Sequence, residues 1–180
     1  MATGNGTLPT LHPVTGFKLG TASAGIKTPG RKDLVVMEIV KGSTVAGLFT
    51  QNAFCAAPVI VAKKHLAAIS PKYLLVNTGN ANAGTGKQGM TDALQSCDAL
   101  AAVTSSNKVQ VLPFSTGVIG EPLPIDRLIG GMPAAVAALS ENGWADAAEG
   151  ILTTDTRAKG ASLRYGTDSK ITITGITKGS

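Results

Sequence analysis

Hydroxyl side chains next to glycines are the groups in this 180-residue chain best suited to chemistry. In Ser115-Thr116-Gly117-Val118-Ile119-Gly120 a threonine precedes a glycine directly after an apolar run. A glycine lets a backbone N–H approach a reacting atom with no Cβ in the way. A neighbouring hydroxyl can converge on the same point, which is the arrangement of an oxyanion hole. A plain turn at a strand end fits the same pattern. Thr153-Thr154-Asp155-Thr156 offers further hydroxyls, either to a substrate or to the carbonyls of a helix end. The loop Asn77–Gly86 carries three Asn and three Gly in ten residues, giving side-chain amides and positions free to take φ > 0. It reads either as a turn whose amides bond its own backbone or as the wall of a polar pocket.

Several other patterns fail on physical grounds. Gly84-Thr85-Gly86-Lys87-Gln88-Gly89 matches G-x-G-x-x-G between a strand and a helix. Thr78–Ala83 separate it from the strand, and no acidic residue follows about twenty positions on to hold a ribose, so a dinucleotide site is not expected. Gly86-Lys87 fails as a phosphate loop, since Gln88 stands where Ser or Thr is needed for magnesium and Ala81 where the first Gly belongs. No G-x-S-x-G elbow appears, and neither His12 nor His65 has an acid or nucleophile beside it. Cys55 and Cys97 have no metal-type spacing, so no metal site and no disulfide framework are expected.

The framework around these residues is that of a globular protein. Hydrophobic residues make up 43% and charged residues 15%, so one domain spanning 1–180 with a core of Ala, Val, Ile and Leu is expected. The net charge of +5 is spread over Arg31-Lys32, Lys63-Lys64, Lys108, Arg157, Lys159 and Lys178. Without a block of like charges, and with only 4% aromatics, nothing points to nucleic acid or a membrane surface. A modest positive balance suits small anionic substrates or an acidic partner chain. No run reaches membrane-spanning length and no signal-type start is present, so a cytoplasmic location with reduced thiols is the expectation.

Along the chain, residues 1–16 read as an irregular arm. Leu34–Val40 and Thr44–Thr50 read as two strands of a hairpin across Lys41-Gly42-Ser43. Pro58–Ala62 leads into a helix around Lys63–Ile69, and Tyr73–Asn77 is a strand apolar enough to be buried on both faces. Met90–Val103 places Met90, Ala93, Leu94, Cys97, Leu100 and Ala101 on one helical face. Val109–Phe114 reads as strand, and Leu123–Ile129 and Pro133–Leu139 as two helical pieces parted by Gly130-Gly131. Trp144–Leu152 is a further helix, and the alternation within Ser162–Thr177 is that of a strand. The order lacks the regular period of a doubly wound sheet. It predicts an α/β chain of the α+β type, with layered mixed or antiparallel sheets and helices outside. The chain stops at Lys178-Gly179-Ser180, straight after a strand, which suggests that something continues the fold.

Six segments, in order, resemble the ornithine acetyltransferase family of arginine biosynthesis. They are Gly25-Ile26-Lys27; Gly47–Asn52 followed by Ala56-Ala57-Pro58-Val59; Asn77–Gly86; Ser115–Gly120; Thr153–Thr156; and Lys178-Gly179. Members of that family cleave themselves before a threonine, which becomes the N-terminal nucleophile of a β chain. The resemblance places this cleavage a short distance beyond Ser180, so the chain is similar to the α chain. It implies an αββα-like core completed by the β chain, and an α2β2 heterotetramer. It also implies ping-pong acetyl transfer from N-acetylornithine to glutamate, giving ornithine and N-acetylglutamate. Thr116 and Gly117 match the oxyanion hole, and Thr153 and Lys178 match substrate contacts. No cofactor is implied, although some members also take acetyl from acetyl-CoA. Two other readings remain at this stage: a subunit of a self-processing amidohydrolase or aminopeptidase, with water as acceptor, and a stand-alone binding module.

Overall fold

The computed structural model describes residues 6–166 and 171–178. Four strands form one sheet in sequence order: β1 (Phe17–Ala22), β2 (Leu34–Ile39), β3 (Tyr73–Asn80) and β4 (Val111–Val118). The first three pair antiparallel, while β3 and β4 run parallel, joined by the crossover helix α2 (Gly86–Thr104). The sheet is therefore mixed. Two further strands, β5 (Lys159–Tyr165) and β6 (Ile171–Thr177), make a separate antiparallel pair.

Strand alternation divides the core. Leu34 and Val36 of β2 face one way, into a cluster with Tyr73, Leu75, Val111, Cys97, Leu100, Leu128 and Met132. Helices α1 (Ala57–Ala68), α2 and α3 (Ile125–Ala137) cover that face. Val35 faces the opposite way, with Leu19, Trp144, Ala147 and Ile151, and there the short helix α4 (Trp144–Gly150) and Ile176 of β6 pack. Helices, mixed sheet and second sheet are thus layered, in keeping with the expected class. Residues 6–16 carry no helix or strand and are tied to the small sheet, with His12 N–H on Ser162 Oγ and Thr174 Oγ1–H on the His12 carbonyl. Residues 1–5 of the expected arm lie outside the described residues.

Four local expectations are corrected. The alternation within Ser162–Thr177, read as one strand, belongs to two, β5 and β6, paired antiparallel. Thr44–Thr50 is not a strand: β1 and β3 already occupy both edges of β2, and Leu48 in that segment is fully exposed. The partner that sequence patterning missed is β1, which follows directly on the arm. Leu123–Ile129 and Pro133–Leu139 are not separate, because α3 runs unbroken through Gly130-Gly131 and Pro133. A Cβ on Gly131 would lie 2.9 Å from the Ala24 Cβ and 3.0 Å from a Leu34 methyl, so the glycine lets the helix lie close on the sheet. Pro58–Ala62 is part of helix α1 itself, with the proline in its first turn, where its missing N–H costs no hydrogen bond.

Candidate active site

Strand β4 carries Thr116 and Gly117 along an edge of the four-stranded sheet. The parallel register sets Thr78 of β3 opposite Thr116 and Gly79 opposite Gly117, and a bulge at Asn80 follows. The two backbones approach very closely there. A Cβ on Gly117 would sit 2.3 Å from the carbonyl carbon of Gly79, and Gly117 has φ +139°. No other residue fits that position without parting the strands, which is the local reason a glycine follows Thr116.

The remaining expected site residues arrive from the other side of the molecule. Lys178 follows β6, and Thr153 follows α4. The Lys178 ammonium donates to Thr116 Oγ1 at 2.5 Å and to Thr153 Oγ1 at 3.1 Å. Three segments distant in sequence therefore meet at one nitrogen. A hydroxyl that accepts from a cation keeps its own proton to donate and is polarised toward doing so. The ammonium has a third N–H beyond these two bonds. Thr116, Gly117, Thr153 and Lys178 all line one open cavity of about 560 Å³. Gly179, the last residue of the final matched segment, lies outside the described residues.

The same cavity is lined by residues that sequence patterning had not singled out, among them Lys27, Arg31 and Asp33. Asp33 is buried, and its carboxylate accepts from the backbone N–H groups of Ala24 and Ile26, both at 2.6 Å. It therefore pins the loop that carries Lys27. Arg31 donates to the carbonyls of Leu152 at 2.6 Å and Thr153 at 3.3 Å, fastening the turn that presents the Thr153 hydroxyl. Its neighbour Lys32 donates instead to Asp146 and Glu149 of α4, and these hydrogen bonds to carboxylates raise its pKa above the usual lysine value. The signal for these residues was the Gly25-Ile26-Lys27 segment and the Arg31-Lys32 pair. Both sit around a Thr28-Pro29-Gly30 turn whose place in the fold only tertiary structure discloses.

Of the loop Asn77–Gly86, Thr78 and Gly79 reach the cavity, whereas Asn77, Asn80 and Asn82 are buried and do not line it. The asparagines are therefore no polar wall, and the turn reading holds in part: Asn77 and Asn80 end β3, and their amides bond both the segment's own backbone and the chain at and beyond β4. Among the described residues no group of three His, Cys, Asp or Glu side chains is placed to hold a metal ion, and no helix is long and apolar enough to cross a membrane.

Residues 18–180 match the family model described as the ArgJ family. The chain is 60% identical over 180 residues to the arginine biosynthesis bifunctional protein ArgJ of Pseudomonas fluorescens (strain Pf0-1), covering 99% of this chain. It is 58% identical over the same length to the protein of that name from Pseudomonas syringae pv. tomato. It spans only 44% of the length of either relative. Among solved structures it superposes with a TM-score of 0.89 and 32% identity on ornithine acetyltransferase complexed with ornithine from Mycobacterium tuberculosis, covering 96% of this chain and 94% of that one. The ArgJ protein of Bacillus halodurans gives a TM-score of 0.82 at 32% identity, covering 92% of this chain and 87% of that one.

Proposed function

The chain belongs to the ArgJ family, and on that premise we propose that it acts as the α chain of a self-cleaved ornithine acetyltransferase in arginine biosynthesis. In this reading the remainder of the precursor supplies a β chain whose N-terminal threonine is the nucleophile. The threonine hydroxyl, deprotonated by its own α-amino group, attacks the acetyl carbonyl of N-acetylornithine. The negative charge that collects on the carbonyl oxygen is met by the Thr116 hydroxyl and the Gly117 backbone N–H. Collapse of the tetrahedral species breaks the amide bond, and ornithine leaves carrying a proton. The α-amino group of glutamate then attacks the acyl-enzyme ester and departs as N-acetylglutamate, restoring the threonine.

The observation that carries this reading is the convergence of Thr116, Thr153 and Lys178 at a single ammonium within one cavity. An amino-acid carboxylate is common to donor and acceptor, and Lys178 with Thr153 gives it a cation and a hydroxyl. Lys27 and Arg31 at the same cavity add positive charge that favours anionic substrates. The acetyl donor is itself the substrate, so the chemistry needs no cofactor; acetyl-CoA is a second donor of the same group. The β chain would also cover Leu163, Tyr165, Ile171 and Ile173. These lie on one face of the small sheet, each more than half exposed, and a cluster of large apolar side chains of that kind marks a contact surface. The chain's 44% share of its relatives' length leaves ample sequence for that partner. An α2β2 heterotetramer in the cytoplasm completes the proposal.

The test is steady-state kinetics on the enzyme expressed from its full-length gene, with glutamate and water compared as acceptors. Transfer to glutamate should dominate, and Thr116→Ala should lower kcat by about 10²–10³-fold, the usual effect of a lost oxyanion donor. Hydrolysis that glutamate does not suppress would favour the amidohydrolase reading. Absence of any acyl chemistry would leave the binding-module reading.

A further inference from the structure

The buried asparagines at the end of β3 have no part in the reaction as described, yet they surround the Thr116–Gly117 pair on both sides. Asn77 is 2% exposed. Its Oδ1 accepts from Ser115 Oγ at 2.6 Å, one residue before Thr116, and its Nδ2 donates to the Asn80 carbonyl at 2.9 Å, within the bulge that faces Gly117. Asn80 is 3% exposed. Its Oδ1 accepts from Asn82 N–H at 2.8 Å, and its Nδ2 donates to the carbonyls of Glu121 and Pro122, each at 3.1 Å, just beyond the end of β4. Two backbone bonds draw the same segments together: Ala81 N–H to the Val118 carbonyl and Gly120 N–H to the Ala83 carbonyl, both at 2.8 Å.

From this we infer that Asn77 and Asn80 are positioning residues, a two-ended clamp that sets where the Thr116 hydroxyl and the Gly117 N–H point. The inference rests on the proposed role of those two groups as oxyanion donors. Donors stabilise a developing charge only where its final position places them within hydrogen-bond reach, so small displacements are costly. Strand pairing alone gives no such placement here, because the β3–β4 ladder shifts register at Asn80. The two amides hold β4 in place on either side of that shift. Neither amide lines the cavity, so neither touches substrate.

The experiment uses the two-chain enzyme made from the full-length gene, with Thr116→Ala as the reference. Ser115→Ala removes the hydroxyl that Asn77 holds. Asn80→Asp keeps the acceptor for Asn82 and replaces the donor facing two carbonyls with an oxygen. Both variants should lower kcat about tenfold, with KM for N-acetylornithine changed by no more than about twofold, the pattern of an interaction lost only in the transition state. Ser115→Thr, which keeps the hydroxyl, should recover most of the loss. The clamp is overturned if a folded Ser115→Ala enzyme keeps its kcat, if KM moves instead, or if Ser115→Thr loses as much as Ser115→Ala. Should Asn80→Asp fail to fold, the two Ser115 variants decide alone. A large loss in Thr116→Ala beside normal clamp variants rejects only the clamp, whereas a fully active Thr116→Ala rejects the donor assignment beneath it.

Discussion

Lys178 is the residue on which the site turns, because one ammonium serves two hydroxyls with different proposed duties. Thr153 would touch substrate in both ground and transition states, while Thr116 would meet charge that exists only in the transition state. Thr153→Val should therefore raise KM with little effect on kcat. Lys178→Met should raise KM and lower kcat together, since it also removes the cation that polarises Thr116. A hydrogen bond to a charged group contributes about 1.5–3 kcal/mol, so kcat/KM for Lys178→Met should fall by roughly ten- to a hundredfold or more. Initial-rate kinetics against N-acetylornithine separate the two patterns. Spacing alone left these residues undecided: Thr116-Gly117 fitted both an oxyanion hole and a strand-end turn, and Lys178 was one of several scattered basic residues. Their chemistry depends on three segments meeting in space; the pattern left Thr116-Gly117 and Thr153 open between a chemical and a structural reading, and the resemblance to a known family favoured the chemical one.

At the scale of elements, the helix patterns and the buried strand β3 were the most readable features. Ala93, Cys97, Leu100 and Ala101 of α2 are buried as their spacing predicted, although Leu94 of the same face is 39% exposed. The strands around β2 were misread for a physical reason: Thr44–Thr50 is apolar enough to be a strand, but both sides of β2, its expected partner, are taken by β1 and β3. Strand β1 carries Gly20, which weakens its pattern. That glycine is needed because a Cβ there would lie 2.1 Å from the Ala135 carbonyl oxygen of α3. Within the sheet, Tyr73 of β3 donates to Glu38 of β2 at 2.9 Å, and burial, reinforced by that carboxylate, pushes the phenol up to about 12 from an ordinary value of 10.0. The folded state thus keeps the proton where the unfolded chain would release it. The resulting stability is complete below about pH 10 and is lost as pH rises from there to about 12. Denaturant titrations across that range should show this loss in the parent protein and a smaller one in Tyr73→Phe.

For the molecule as a whole, layering explains how so open a site is built. The four-stranded sheet has helices α1, α2 and α3 on one face, and α4 with the small sheet on the other. The cavity opens where the end of β4 meets the segments that follow α4 and β6. Strand β6 turns Thr172, Thr174 and Ile176 inward and leaves Ile171 and Ile173 outward, so its more apolar face is the exposed one. Sequence alternation read Ser162–Thr177 as one strand where β5 and β6 are two, and it left open which face would be covered, because that depends on what else packs against the sheet. The central claim is that this chain provides the oxyanion hole and substrate contacts for a nucleophile carried by another chain. It is tested most directly by intact-mass analysis of the enzyme from its full-length gene, mixed with N-acetylornithine and no acceptor. The account predicts two chains, with one acetyl group gained by the chain that begins with threonine, none by this one, and discharge when glutamate is added. An acetyl group on this chain, or no covalent adduct on either, would contradict it.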